Sequence, residues 1–123
     1  MSTENVKILT VQDLVRIKNW GERTFAEACL DKPHIKLEYQ VPINGHNYQN
    51  GNGSSSLIDF RVTNLKVGKS KLVEVTQTQR KNLSRSSRKV RQIENLKGNG
   101  EPFVVLTGEN LALIDGHLRR RRY

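Results

Sequence analysis

Two short runs decide the fold: Leu57-Ile58-Asp59-Phe60-Arg61-Val62 and Lys71-Leu72-Val73-Glu74-Val75-Thr76, joined through Val67-Gly68-Lys69-Ser70. Both have strand length and strand composition, and the short Gly-containing connection makes them an antiparallel hairpin. Each run is interrupted by one acid. An ionised carboxylate among strand-core residues costs several kcal/mol unless a cation or strong hydrogen bonds compensate it. Alternation along a strand also allows a milder arrangement, with Asp59 and Glu74 on the solvated side. If they share a face they repel, and a divalent ion is the simplest way to keep both charged. Hard carboxylate oxygens of this kind suit Mg²⁺ or Mn²⁺.

Upstream, Ile35, Leu37, Tyr39 and Val41 alternate with Lys36, Glu38 and Gln40, which predicts a half-buried strand ending at Pro42. Residues 44–56 are dominated by Asn, Gly, Ser and Gln and read as a flexible surface connection. Before them, Thr10-Val11-Gln12-Asp13 offers a weak capping box. Val11, Leu14 and Val15, then Phe25, Ala26, Cys29 and Leu30, follow at helical spacing, predicting one long or two short helices with a break near Trp20-Gly21. From about residue 81 to 97 the period is again helical, with Leu83, Val90, Ile93 and Leu96 on one side and Gly98 and Gly100 as the stop. Pro102-Phe103-Val104-Val105-Leu106 is a continuous apolar run, as expected of a strand covered on both faces. Residues 111–114 suggest a last short strand, and 119–123 a mobile basic tail. Strand, helix and strand in succession imply a right-handed crossover, so the 102–106 strand should lie parallel to the 71–76 strand. The expected fold is α/β, a mixed four- to five-stranded sheet flanked by helices in one domain over residues 1–118.

Composition bounds the function. At 123 residues with 35% hydrophobic side chains, the chain has room for one small core and no second domain. One cysteine, Cys29, excludes an internal disulfide and a Cys/His zinc cage, and it reads as a core residue. There is no apolar run long enough to span a bilayer, and the first residues lack the pattern of a secretion signal. A soluble, intracellular, cytoplasmic protein is the expectation, with no membrane partner. The net charge of +9 is regional. Arg80, Lys81, Arg85, Arg88, Lys89, Arg91 and Lys97 face only Glu94, and Arg119 to Arg122 follow, while the rest of the chain is close to neutral. Clustering of this kind is the footprint of a polyanion partner, most commonly nucleic acid, whereas solubility alone needs no clustering.

An acidic pair on a hairpin followed by a basic helix resembles the PD-(D/E)xK nuclease superfamily, which includes Holliday-junction resolvases and small homing-type endonucleases. Ser56-Leu57-Ile58-Asp59-Phe60 matches its first motif and Leu72-Val73-Glu74-Val75-Thr76 its second, within a likeness extending over residues 10–114. The resemblance implies a restriction-endonuclease-like core of order αβββαβ. It also implies that Asp59 and Glu74 bind the metal, with the backbone carbonyl after the Glu, and that an acid from the first helix, Glu27 before Glu22, assists. In that family a Lys two residues after the Glu orients the attacking water. Here Thr76 occupies that position, so the task passes to Gln77 or Gln79, or to Lys71, Arg80 or Lys81, or the fold has kept binding and lost chemistry.

The remaining residues carry less. His34 and His46 have no partner at ligand spacing and read as surface residues, and Gly51-Asn52-Gly53-Ser54 lacks the ending of a phosphate-binding P-loop. Trp20 reads as packed against the sheet, with stacking of Trp20 or Tyr48 on bases as the sharper alternative. Arg80, Lys81, Arg85, Arg88, Lys89 and Arg91, interleaved with Ser, Thr, Asn and Gln, suit contacts to a nucleic-acid backbone. The leading expectation is therefore a Mg²⁺- or Mn²⁺-dependent DNA endonuclease, a hydrolase acting as a homodimer because one copy covers little DNA. The rivals are a non-catalytic nucleic-acid-binding or assembly protein with the same fold, and a ribonucleoprotein component that takes RNA.

Overall fold

The computed structural model describes residues 6–44 and 55–122. Residues 45–54, with His46, Tyr48 and most of the Asn/Gly/Ser-rich connection, lie outside them, as does Tyr123.

The elements follow the order β1 (Lys7–Ile8), a 3-10 turn (Val11–Arg16), α1 (Trp20–Leu30), β2 (Ile35–Asn44), β3 (Ser55–Asn64) and β4 (Lys69–Val75). A second 3-10 turn (Arg80–Arg85), α2 (Ser87–Asn99), β5 (Phe103–Leu106) and α3 (Gly108–Arg122) complete it. One five-stranded mixed sheet takes the strands in sequence order. The pairs are antiparallel as far as β4, and β4 runs parallel to β5 across the α2 crossover, as the sequence predicts. The chain is thus an α/β protein with helices on both faces of a mixed sheet.

Each face has its own apolar layer. On one, α1, α3 and the N-terminal segment cover Leu37, Phe60, Val73 and Val75 with Leu9, Ile17, Ala26 and Leu111. On the other, Leu96 of α2 seals Val41, Ile43, Ile58 and Leu72. Tyr39 and Val41 join different layers although they are two residues apart, and so do Phe60 and Ile58. A regular strand would keep each pair on one side. Between Tyr39 and Val41, Gln40 sits in the left-handed region at φ 54°, so the sheet twists sharply there, beside Asp59.

Two sequence expectations are corrected. Residues 111–114 form no strand, and 119–122 no tail; both belong to α3. Leu111 and Leu118, seven residues apart, are buried, which is helical spacing. Arg119 pairs with Asp115 one turn back, and Arg121 pairs with Asp31 at the end of α1. The break in the first helical region falls at Ile17 to Asn19, where Asn19 caps α1 by accepting a hydrogen bond from the Glu22 N–H at 3.0 Å.

The segment after β4 is clamped to the start of α3. The Gly108 N–H donates to the Thr78 carbonyl at 3.1 Å, and Glu109 accepts from the Arg80 N–H at 3.0 Å. A Cβ on Gly108 would stand 2.6 Å from the Gln77 carbonyl oxygen, a backbone atom that cannot swing aside. Gly108→Ala is therefore expected to lower unfolding stability by about 1–3 kcal/mol. Chemical denaturation checks this, and hydrogen exchange should show protection lost first across residues 76–80.

Candidate functional site

β3 and β4 are paired from Asn64 and Lys69 as far as Phe60 and Val73, and there they part. Beyond that point β3 stays with β2, through Ile58 against Val41, while β4 stays with β5, through Glu74 against Val105. The result is a fork. Asp59 and Glu74 are the first residues beyond the last pair, one on each arm of the fork.

The two acids replace the lost backbone ladder. The Asp59 N–H donates to Glu74 Oε1 at 3.2 Å, and the Val75 N–H donates to Asp59 Oδ2 at 2.8 Å. Each carboxylate thus satisfies a main-chain donor on the opposite strand where the strands separate. Glu74 is 2% exposed and needs a counter-charge. Lys89, in the first turn of α2, supplies it. Its Nζ lies 3.3 Å from Glu74 Oε2 and 3.5 Å from the carbonyl oxygen of Val75. The Lys89 backbone is fixed in turn, since its N–H donates to the Ser86 cap at 3.2 Å.

Electrostatics reflect this crowding. Burial pushes the Asp59 carboxyl up to about 8; the charge of Glu74 adds to the rise and Glu22 does so more weakly, while the Val75 N–H and Lys89 oppose it. Glu22, in the first turn of α1, accepts a hydrogen bond from the Tyr39 hydroxyl at 2.5 Å. Burial, followed by that bond, raises the Tyr39 phenol above its usual range.

Of the two first-helix acids, Glu22 is the one whose charge reaches Asp59. Glu27 instead lines a cavity of about 340 Å³ with Val11, Leu14, Leu30, Leu118 and Arg121. Thr76, in the position of the missing lysine, is buried and occupied locally: its N–H donates to Leu106 O at 2.9 Å and its hydroxyl accepts from the Thr78 N–H at 3.1 Å. Gln77 and Gln79 are exposed, and among the described residues neither is hydrogen-bonded to the fork carboxylates. Lys71 belongs to the paired half of the hairpin, opposite Val62. Arg80 reaches the Val105 carbonyl at 3.2 Å. Lys81, Arg85, Arg88 and Arg91 are exposed around the 3-10 turn and α2, so only Lys89 of the six basic candidates turns into the fork. Cys29 packs from α1 against the core, and burial pushes its thiol up to about 12.

Helical spacing carries the signal that turns both Lys89 and Glu22 inward. Lys89 shares a stripe with Ile93 and Leu96 at +4 and +7, and Glu22 shares one with Phe25, Ala26 and Cys29 at +3, +4 and +7. These are the inward faces of the two helices.

Among the described residues there is no group of three or more His, Cys, Asp or Glu side chains arranged to hold a metal ion. What the fork gathers is two carboxylates, one main-chain carbonyl and one ammonium. Among the described residues, no helix is long and apolar enough to cross a membrane. No family model, curated protein or solved structure matches the chain.

The Asp59 shift fixes a pH dependence. Its folded pKa lies far above the ordinary 3.8, so its contribution to stability is complete below about pH 4 and is lost as pH rises towards 8. Asp59→Asn keeps a neutral acceptor for the Val75 N–H. The variant should therefore gain about 1–3 kcal/mol on the wild type between pH 4 and 8, measured by urea unfolding of both proteins in the presence of a chelator.

Proposed function

We propose that this protein is a metal-dependent endonuclease that hydrolyses phosphodiester bonds in DNA, with a restriction-endonuclease-like core. The observation that carries this reading is the meeting of Asp59, Glu74 and Lys89 in the fork. Its surroundings support it, because the cationic 3-10 turn and the start of α2 border the same place.

The residues fit a hard divalent ion, Mg²⁺ or Mn²⁺. The donors are all oxygens, and positive charge is already accommodated between Glu74 Oε2 and the Val75 carbonyl, where the Lys89 ammonium lies. Asp59, Glu74 and that carbonyl would hold the ion, and Glu22 would add charge from α1. When bound, the ion would polarise a phosphodiester and acidify a water. Lys89 takes the part of the strand lysine that Thr76 lacks: it brings an ammonium to the same carboxylate from a helix instead of from two residues along the strand. There it would orient the attacking water and offset phosphate charge. Arg85, Arg88, Arg91 and Lys81 would track the backbone without reading bases.

One observation favours the rival of a nucleic-acid-binding protein without chemistry. Lys89 meets the Glu74 charge from within the chain. The two readings separate in one assay. With plasmid, branched and single-stranded DNA in Mg²⁺ or Mn²⁺, Asp59→Ala and Glu74→Ala should each reduce cleavage at least about 100-fold while leaving DNA binding in place. Arg88→Ala should instead weaken binding to every sequence and lower the salt slope by about one. Salt-dependent binding with no cleavage of any substrate would overturn the enzyme and leave the binder. Activity unchanged by Asp59→Ala and Glu74→Ala would remove the fork from the chemistry.

A further inference from the structure

We propose that Lys89 is the resident cation of the fork and that nucleic acid must draw it away before a divalent ion takes its place, so that DNA and metal bind cooperatively; this rests on the metal-dependent reading above. Lys89 Nζ is within 3.3 Å of Glu74 Oε2 and 3.5 Å of the Val75 carbonyl oxygen. Those are the oxygens a divalent ion would use together with Asp59. An ammonium and a divalent ion cannot both occupy that space, since like charges at contact distance in a poorly solvated site repel strongly. Glu74 is buried, so without a metal the lysine has every reason to stay.

The geometry also provides the exit. Lys89 belongs to the first turn of α2, its four-carbon stem is flexible, and its side chain retains 23% exposure. Its neighbour Arg88 and nearby Arg85 are exposed. A backbone phosphate drawn to those guanidinium groups arrives within a lysine's reach and offers the ammonium a second anion. Moving there, Lys89 frees Glu74 Oε2 and the Val75 carbonyl. By linkage, whatever factor DNA contributes to metal affinity, metal contributes to DNA affinity. The same movement would place the ammonium on the phosphate only when substrate is present, so an ion would not settle in the empty protein.

The test is Mn²⁺ binding by the full chain, read as free Mn²⁺ by electron paramagnetic resonance, with and without a hydrolysis-resistant phosphorothioate duplex and corrected for Mn²⁺ on the duplex alone. Wild-type protein should bind Mn²⁺ at least tenfold more tightly with the duplex. Lys89→Gln should bind Mn²⁺ at least fivefold more tightly than wild type without DNA, with its coupling reduced below twofold. Lys97→Gln, an equal loss of charge further along α2, should stay within twofold of wild type in both conditions. Coupling below twofold in the wild type overturns the inference, and this arm decides the matter alone if Lys89→Gln does not fold. A folded Lys89→Gln that binds Mn²⁺ no better than wild type, or keeps the full coupling, overturns it as well. Absence of Mn²⁺ binding by every form would remove the metal reading itself, and this inference with it.

Discussion

A hairpin that opens must do something with the main-chain donors it exposes, and in this protein two side-chain carboxylates take them. The bonds are reciprocal: Asp59 holds the strand that carries Glu74, and Glu74 holds the strand that carries Asp59. Two acids are thereby brought together by the same contacts that keep the fork from fraying. The cost is an acid pushed towards neutrality at Asp59 and a buried charge at Glu74, and the ammonium of Lys89 offsets the second. Because that ammonium comes from α2, the crossover helix is tied to the sheet at its first turn as well as through Leu96 near its last.

The topology concentrates favourable potential at the same edge. α1 begins beside the fork, with Gly21 close to Val75; the first turn of α2 brings Lys89 to it; α3 begins against Thr78. The first turns of α1 and α2 thus lie close to the fork, and amino-terminal helix ends carry partial positive charge. Glu22 and Glu109 occupy the first turns of α1 and α3, where that charge favours acids. The Arg119–Arg122 run lies at the opposite end of a 15-residue helix, about 20 Å away. The two cationic segments that stand out in the sequence are therefore separate surfaces.

How much of this was legible depended on whether the signal was local. The hairpin is legible from two strand-like runs joined by a short Gly-containing turn, and the parallel β5 follows from the handedness of crossovers. Residues 111–114 misled because four residues of Leu-Ala-Leu-Ile suit either strand or helix, and only the burial of Leu118 seven residues after Leu111 distinguishes them. The family resemblance points to Glu27 before Glu22, and the charge run groups Lys89 with the surface cations; neither takes helical phase into account. The phase of Ile93 and Leu96 turns Lys89 inward, whatever its chemistry. The sharp twist at Gln40 has no such signature, since it arises where β2 must follow β3 away from β4.

The lone thiol has a practical consequence. Cys29 packs from α1 against the core, burial pushes its thiol up to about 12, and the reactive form of a cysteine is the thiolate. At neutral pH its reaction with maleimides is slowed. Reporter groups introduced through new cysteines at exposed positions such as Ser84 or Gln77 would then be single and site-defined, without first deleting a residue from the core.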